Sequence, residues 1–230
     1  MKSELVRQME TTFGRYGIVT KNCWNPTDAH RLHRKFHSID QPESEYVEAV
    51  AALESLPTRS GRKIQLIQPK VWHFLKAWGR VQGLTNKDSR KMVQNLNLEG
   101  KLVEFLREHS LEEDLSRKIR FKGEERTLVN WMQVMLESIS HPRRHEMIAS
   151  SKLLHATIPT LFSMFDNPMS RKFFGVNASV PVYCGLFLPL AQTQLRMLRS
   201  VGMRPSGTDS CAGSWPKLVD EINWTWANYG

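Results

Sequence analysis

Apolar residues at helical spacing are the feature that most limits how this chain can fold. The spacing is clearest from residue 126 to residue 139, and it returns in most of the segments before and after that stretch. The apolar positions there are Leu128, Trp131, Met132, Met135, Leu136 and Ile139. A period of about 3.6 residues brings such side chains to one face of an α-helix. The sequence therefore predicts an all-α, multi-helix globular fold with at most a short piece of sheet.

Two short segments depart from this spacing. Ile64, Leu66 and Ile67 resemble a β-strand that Pro69 would soon end. Residues 112–122 are highly charged, and they fit either a short helix or the edge of a β-ribbon. Neither segment is long enough to change the all-α prediction.

A polar, basic loop at residues 57–69 gives the predicted internal boundary. It would act as a linker between an N-terminal helical segment, residues 1–56, and a main helical domain, residues 70–230. Two helical lobes would result. One continuous domain over residues 1–230 is the alternative, and that length is sufficient for a sizeable core.

Cysteine content and hydropathy indicate the cellular compartment of the protein. Cys23, Cys184 and Cys211 are odd in number and far apart, which is typical of free thiols in a reducing compartment. The longest apolar-leaning run, residues 180–191, contains two prolines and is too short to cross a bilayer. Charges near the start, such as Lys2, leave no apolar core for a secretory signal. We therefore expect a cytoplasmic protein without a membrane partner.

The formal net charge of +9 favours polyanionic partners. The basic residues occur in small groups along the chain rather than in one tail. A basic surface therefore has to be assembled by folding, and nucleic acid is the expected partner.

Lys152 and Asp166 are the candidate reactive pair. Lys152 lies on a mostly apolar predicted helix that breaks near Pro159, and Asp166 follows an apolar run that ends at Phe165. Burial would raise the pKa of the carboxyl unless a cation or a helix N-terminus pairs with it. The alternatives are that Asp166 caps the helix that begins near Asn167, and that Lys152 extends its amine from a core helix to solvent.

The pattern S-K-x-L-H-x-x-x-P-x-L-F-x-M-x-D, at residues 151–166, resembles the second half of helix–hairpin–helix DNA glycosylase domains. The resemblance covers about forty residues between 126 and 175. It implies a helix–hairpin–helix-like core, DNA as the favoured partner, and chemistry on a base. It further implies that Asp166 is the acid acting at the glycosidic carbon and that Lys152 is an amine nucleophile.

Basic residues at one turn and on one later helix are the predicted nucleic-acid contacts. The turn between the two helices of the resemblance carries Arg143, Arg144 and His145, and a later helix carries Arg171 and Lys172. A basic loop before a helix N-terminus can bind a phosphate through backbone N–H groups and the helix dipole. A solvated interhelical turn is the alternative for residues 143–145.

His30, His33 and His37 fall on one predicted helix. The i, i+4 spacing of His33 and His37 lets two imidazoles reach one metal ion. However, Arg34 stands where the HExxH zinc motif has its Glu, and the neighbouring basic residues would repel a divalent cation. A basic, partly solvated helix face, which can also contact phosphate, is therefore the favoured interpretation. No metal ion and no other cofactor is predicted.

The predicted function is that of an all-α nucleic-acid-binding protein. If the resemblance extends to activity, the protein acts on a base as a hydrolase or lyase, with Asp166 and Lys152 as the catalytic pair. An α-helical enzyme that uses the histidine-rich helix on a small substrate is one alternative. A non-catalytic interaction protein is the other.

Overall fold

Ten α-helices and one small sheet dominate the part of the chain that the structure describes. The computed structural model describes residues 23–39, 42–79, 83–140, 146–205 and 214–230. Its helices of eight residues or more are α1 (Ala29–His37), α2 (Glu43–Leu53), α3 (Gly61–Gly79), α4 (Asn86–Leu98), α5 (Gly100–Arg107), α6 (Leu128–Ile139), α7 (Glu146–Thr157), α8 (Asn167–Phe174), α9 (Leu188–Ser200) and α10 (Trp215–Tyr229). The all-α, multi-helix globular fold is thereby confirmed. Within those ranges no helix has both the length and the apolar content that crossing a bilayer requires.

Side-chain caps fix where several of these helices begin. The Thr85 hydroxyl accepts a hydrogen bond from the backbone N–H of Asp88, and the Asp88 carboxylate accepts one from the backbone N–H of Thr85. This reciprocal capping box starts α4. Thr127 caps α6 and Ser214 caps α10, each by accepting a backbone hydrogen bond with its hydroxyl. Short polar side chains placed just before an apolar period therefore set the start of each of these helices.

The strand predicted from Ile64, Leu66 and Ile67 is wrong, because all three residues lie in α3. Buried apolar side chains continue at helical spacing through Ile67 and Val71, and this longer period decides the structure. Leu66, which made the segment resemble a strand, is 66% exposed. Pro69 does not end the element but lies inside the helix on its exposed side. Residues 61–69 of the predicted linker are therefore helical.

An antiparallel hairpin decides between the two interpretations of residues 112–122 in favour of a β-ribbon. Strand β1 (Lys118–Phe121) pairs with strand β2 (Glu124–Thr127). The two turn residues, Lys122 and Gly123, have positive φ values of 48° and 86°, as a tight hairpin turn requires. In the described residues these two strands form the whole sheet.

One hydrophobic cluster includes residues from all ten helices. It contains Leu53 and Leu56 from before the predicted boundary and Val71 from after it. Arg107, at the end of α5, donates to the backbone carbonyls of Leu56 and Leu53 at 2.5 and 2.9 Å. The division at residues 57–69 stays a prediction, and the packing of α2 against α3 runs directly across it.

The last helix packs against the first described one. α10 contacts α1, α8 and α9, while α7 contacts α2 and α3. Trp24, just before α1, donates from its ring nitrogen to the side-chain oxygen of Asn223 on α10 at 2.7 Å. Side chains from distant parts of the sequence therefore meet between α1, α2, α7 and α10.

Candidate functional site

Lys152 is buried on α7, with 4% of its surface exposed. Its Nζ donates a hydrogen bond to the backbone carbonyl of Trp78, near the end of α3. Burial lowers the pKa of Lys152, while the negative charges of Asp166 and Asp220 act in the opposite direction. A lowered pKa is the condition that an amine nucleophile needs.

Asp166 is the N-cap of α8, as the alternative prediction for this residue states. Its Oδ1 accepts a hydrogen bond from the backbone N–H of Met169 at 2.9 Å. The residue is 9% exposed, and burial raises its pKa, although the charge of Lys152 and the Met169 hydrogen bond oppose that rise. Lys152 and Asp166 thus interact electrostatically, while each side chain keeps its own hydrogen-bond partner. Their catalytic roles stay predictions.

A third buried titratable side chain, Asp220 of α10, interacts electrostatically with Lys152 and Asp166. It is 3% exposed, and burial raises its pKa to about 7 against the opposing charges of Lys217 and Lys152. Sequence reasoning missed this residue, because α10 was identified only by its apolar face. The signal was present: Lys217, Asp220 and Glu221 follow i, i+3 and i+4 spacing, which groups three charges on one side of an otherwise apolar helix.

Lys217 occupies an aromatic cage. Its side chain is 1% exposed. The ring centroids of Phe36, Tyr46 and Trp78 lie 5.0, 5.1 and 4.7 Å from its Nζ. The same Nζ donates to Oε1 of Glu221 at 2.8 Å. The rings and the carboxylate together compensate the buried ammonium group for its lost hydration.

His155, which belongs to the motif of the resemblance, is fully buried and bonded at both ring nitrogens. Its Nδ1 lies 2.6 Å from the carbonyl oxygen of Phe162, which can only accept, so Nδ1 carries the proton. Its Nε2 then accepts from the hydroxyl of Tyr46 at 2.9 Å. Burial lowers the pKa of His155 to about 3, so the ring is neutral at physiological pH. These contacts make it a buried structural residue on α7.

Two histidines of α1 and one glutamate of α10 converge on a single point. His33 Nε2 lies 3.0 Å from His37 Nε2 and 3.0 Å from Glu221 Oε2, and His37 Nε2 lies 3.5 Å from the same oxygen. The side chain of Glu221 is 7% exposed and that of His37 is 53% exposed. We call these three residues the His–His–Glu cluster. The fold thus supplies, from the far end of the chain, the carboxylate that the spacing on α1 lacked.

The carboxylate of this cluster is ionised. Burial alone would raise the pKa of Glu221, but the hydrogen bond from His33 and the charge of Lys217 bring it down to about 2. His30, on the same helix, is exposed and lies outside the cluster.

The predicted nucleic-acid contacts on α8 are engaged within the chain. Arg171 donates from Nε to the side-chain oxygen of Asn177 at 2.9 Å. Lys172 Nζ lies 4.7 Å from the ring centroid of Trp226 and 3.3 Å from the carbonyl oxygen of Gly230. The other predicted contacts lie outside the described residues: Arg143, Arg144 and His145.

A different set of basic side chains is exposed on α3 and α4, two helices that pack together. Four come from α3 and three from α4, and all seven are exposed: Arg62, Lys63, Lys70, Lys76, Lys87, Arg90 and Lys91. The nineteen residues of α3 include no Asp or Glu. The single acid of α4, Asp88, caps that helix through Thr85. We call this set the α3–α4 cationic face.

Comparison of the chain with protein-family models, with curated proteins and with solved structures finds no match.

Proposed function

We propose that the protein binds nucleic acid, with DNA favoured, through the α3–α4 cationic face. The supporting observation is that, among the described residues, none of its seven basic side chains forms an ion pair. Lysines and arginines that no carboxylate neutralises attract a phosphate backbone and release its counterions on binding.

The β-hairpin and its surroundings provide the contrast. Lys118 pairs with Glu125 at 3.8 Å, and Arg126 pairs with Glu124 at 2.6 Å. The two glutamates of the hairpin thus pair with two of its four basic residues, whereas none of the seven on α3 and α4 has such a partner among the described residues. Trp72 is half-buried beside this face, with Lys76 Nζ 5.3 Å from its ring centroid, so an aromatic surface for a base lies next to the cations.

Chemistry on a base is the finer part of the proposal, and it assigns Lys152 as nucleophile and Asp166 as acid. The lowered pKa of Lys152 and the raised pKa of Asp166 support these roles. Because Lys152 is only 4% exposed, a base reaches it only if the helices around Trp78 move apart. Free thiols at Cys23 and Cys184 support the cytoplasmic location that belongs to the same proposal.

The test is fluorescence anisotropy with labelled single-stranded DNA, duplex DNA and RNA of one sequence, over a range of salt concentrations. We compare wild type with a triple variant of the face, Lys70→Ala, Lys76→Ala and Arg90→Ala. The matched control removes the same charge from the hairpin: Lys118→Ala, Arg120→Ala and Lys122→Ala. The face variant should reduce the slope of log affinity against log salt by about 2 to 3, since each phosphate contact contributes roughly 0.9.

The control should leave that slope close to the wild-type value. Wild-type protein that does not bind at low salt, or two triple variants that lose affinity equally, would contradict the proposal. Borohydride trapping on the same DNA with an abasic site tests the finer part. An adduct that persists in Lys152→Ala removes the nucleophile role while leaving the binding proposal intact.

A further inference from the structure

The His–His–Glu cluster brings three potential ligand atoms to the spacing that a small metal ion imposes. Their separations are 3.0, 3.0 and 3.5 Å. A tetrahedral ion with bonds of about 2.0–2.2 Å to nitrogen and oxygen keeps its ligand atoms roughly 3.3 Å apart. The cluster therefore already has the dimensions of one face of such a coordination sphere.

His33 Nε2 has two competing neighbours within the cluster. His33 Nε2 is equally close to His37 Nε2 and to Glu221 Oε2. A ring nitrogen carries either one proton or one lone pair, so a proton on His33 Nε2 has to be shared between two acceptors. A cation at the centre accepts a lone pair from each of the three atoms at once.

The ligands are held on rigid elements. His33 and His37 are one turn apart on α1, and Glu221 lies on α10, which packs against α1. Lys217 binds the second carboxylate oxygen, Oε1, at 2.8 Å and leaves Oε2 directed at the histidines. A partner that orients a ligating carboxylate in this way is a regular feature of metal sites.

The cation nearest the cluster already has carboxylate partners. The ammonium group of Lys217 lies 2.8 Å from Oε1 of Glu221 and 3.8 Å from Oε1 of Glu43. The basic residues of α1 that would repel a cation, such as Arg34 and Lys35, are exposed, so solvent screens them.

We propose that His33, His37 and Glu221 bind a divalent transition-metal ion of the zinc class. Two imidazoles and one carboxylate leave a fourth tetrahedral position for water or a substrate oxygen, which is the composition of catalytic rather than structural zinc sites. The side chain of His37 is 53% exposed, so solvent reaches the edge of the cluster. This inference does not depend on nucleic-acid binding, because none of its residues belongs to the α3–α4 cationic face.

The test uses the full chain, stripped with a chelator and then dialysed against zinc. Elemental analysis should find equimolar zinc in wild type, and a cobalt-loaded sample should show the visible absorption of tetrahedral cobalt. His37→Ala should weaken zinc binding by more than ~100-fold, since removal of a ligand exceeds the 10- to 100-fold effect of removing its supporting partners. The matched control is His30→Ala, the same substitution at an exposed position of the same helix.

His37→Ala is expected to fold, since its side chain is half-exposed, and far-UV circular dichroism checks this. Glu221→Gln supplies a second variant, in which a neutral amide replaces the carboxylate and zinc affinity should also fall. Wild type without bound zinc overturns the proposal. The proposal is also overturned if His30→Ala and His37→Ala lose zinc affinity equally, or if Glu221→Gln binds zinc as tightly as wild type.

Discussion

Burial changes the protonation chemistry of Lys152 and Asp166 in opposite directions. It lowers the pKa of the amine and raises that of the carboxyl, and in each case the opposite charge of the partner only partly reverses the effect. Both shifts make the neutral forms easier to reach. A neutral amine is a nucleophile and a protonated carboxyl is an acid, so the same burial that costs stability favours the proposed chemistry.

The first prediction concerns Asp166 and pH. Because its folded pKa is raised, the stability from this group is present below the unfolded pKa, near 3.8, and is lost as pH rises through the folded pKa. Asp166→Asn keeps a capping oxygen and cannot ionise. The stability of this variant minus that of wild type should therefore increase as the pH rises from about 4 through the folded pKa. Urea unfolding at each pH measures the difference.

Asp166→Ala separates the cap from the charge. It lacks the oxygen that accepts from Met169, so it should be about 1 kcal/mol less stable than Asp166→Asn at every pH. If the stability of Asp166→Asn minus that of wild type instead decreases as pH rises, the charge of Lys152 lowers the pKa of Asp166 by more than burial raises it.

At the scale of elements, α3 is notable because it contains a proline inside the helix. Pro69 lacks the N–H that an interior helical position supplies, and such a proline costs about 3 kcal/mol relative to alanine. Because the side chain is exposed, its replacement removes little packing. Pro69→Ala should therefore raise the free energy of unfolding by about 1–3 kcal/mol, measured by urea unfolding.

Pro168→Ala is the control for this prediction. Pro168 lies in the first turn of α8, where the backbone N–H has no partner within the helix, so its replacement should bring no gain. If Pro69→Ala is as neutral as Pro168→Ala, the proline does not destabilise the interior of α3, and the prediction is wrong.

Helical periodicity predicted most elements because each amphipathic helix contains its own signal. It failed at Leu66, where one exposed apolar residue between two inward ones made a helix resemble a strand. The cap at Asp166 was predictable, since Asn167 and Pro168 follow it. The partnership of His33 and Glu221 was not, because the carboxylate comes from α10 and only tertiary packing brings it to α1. Local elements can therefore be predicted from spacing, whereas a site shared by distant helices cannot.

On the scale of the whole molecule, the segment before α1 is joined to the end of the chain by a buried amide network. Asn223 Oδ1 accepts from Trp24 Nε1 at 2.7 Å and from Gln194 Nε2 at 2.8 Å. Asn223 Nδ2 donates back to Gln194 Oε1 at 2.8 Å. These bonds connect the start of the described chain with α9 and α10, so a change at Asn223 should affect the stability of the entire fold.

Asn223→Ala should lower the free energy of unfolding by about 3 kcal/mol, since it removes three buried hydrogen bonds and leaves partners unpaired. Asn228→Ala, at an exposed position of the same helix, is the control and should change it little. Circular dichroism and tryptophan fluorescence should give coincident urea transitions, both shifted equally, because one hydrophobic cluster spans all ten helices. Separate lobes at residues 1–56 and 70–230 would instead produce two transitions, and Asn223→Ala would then shift them unequally.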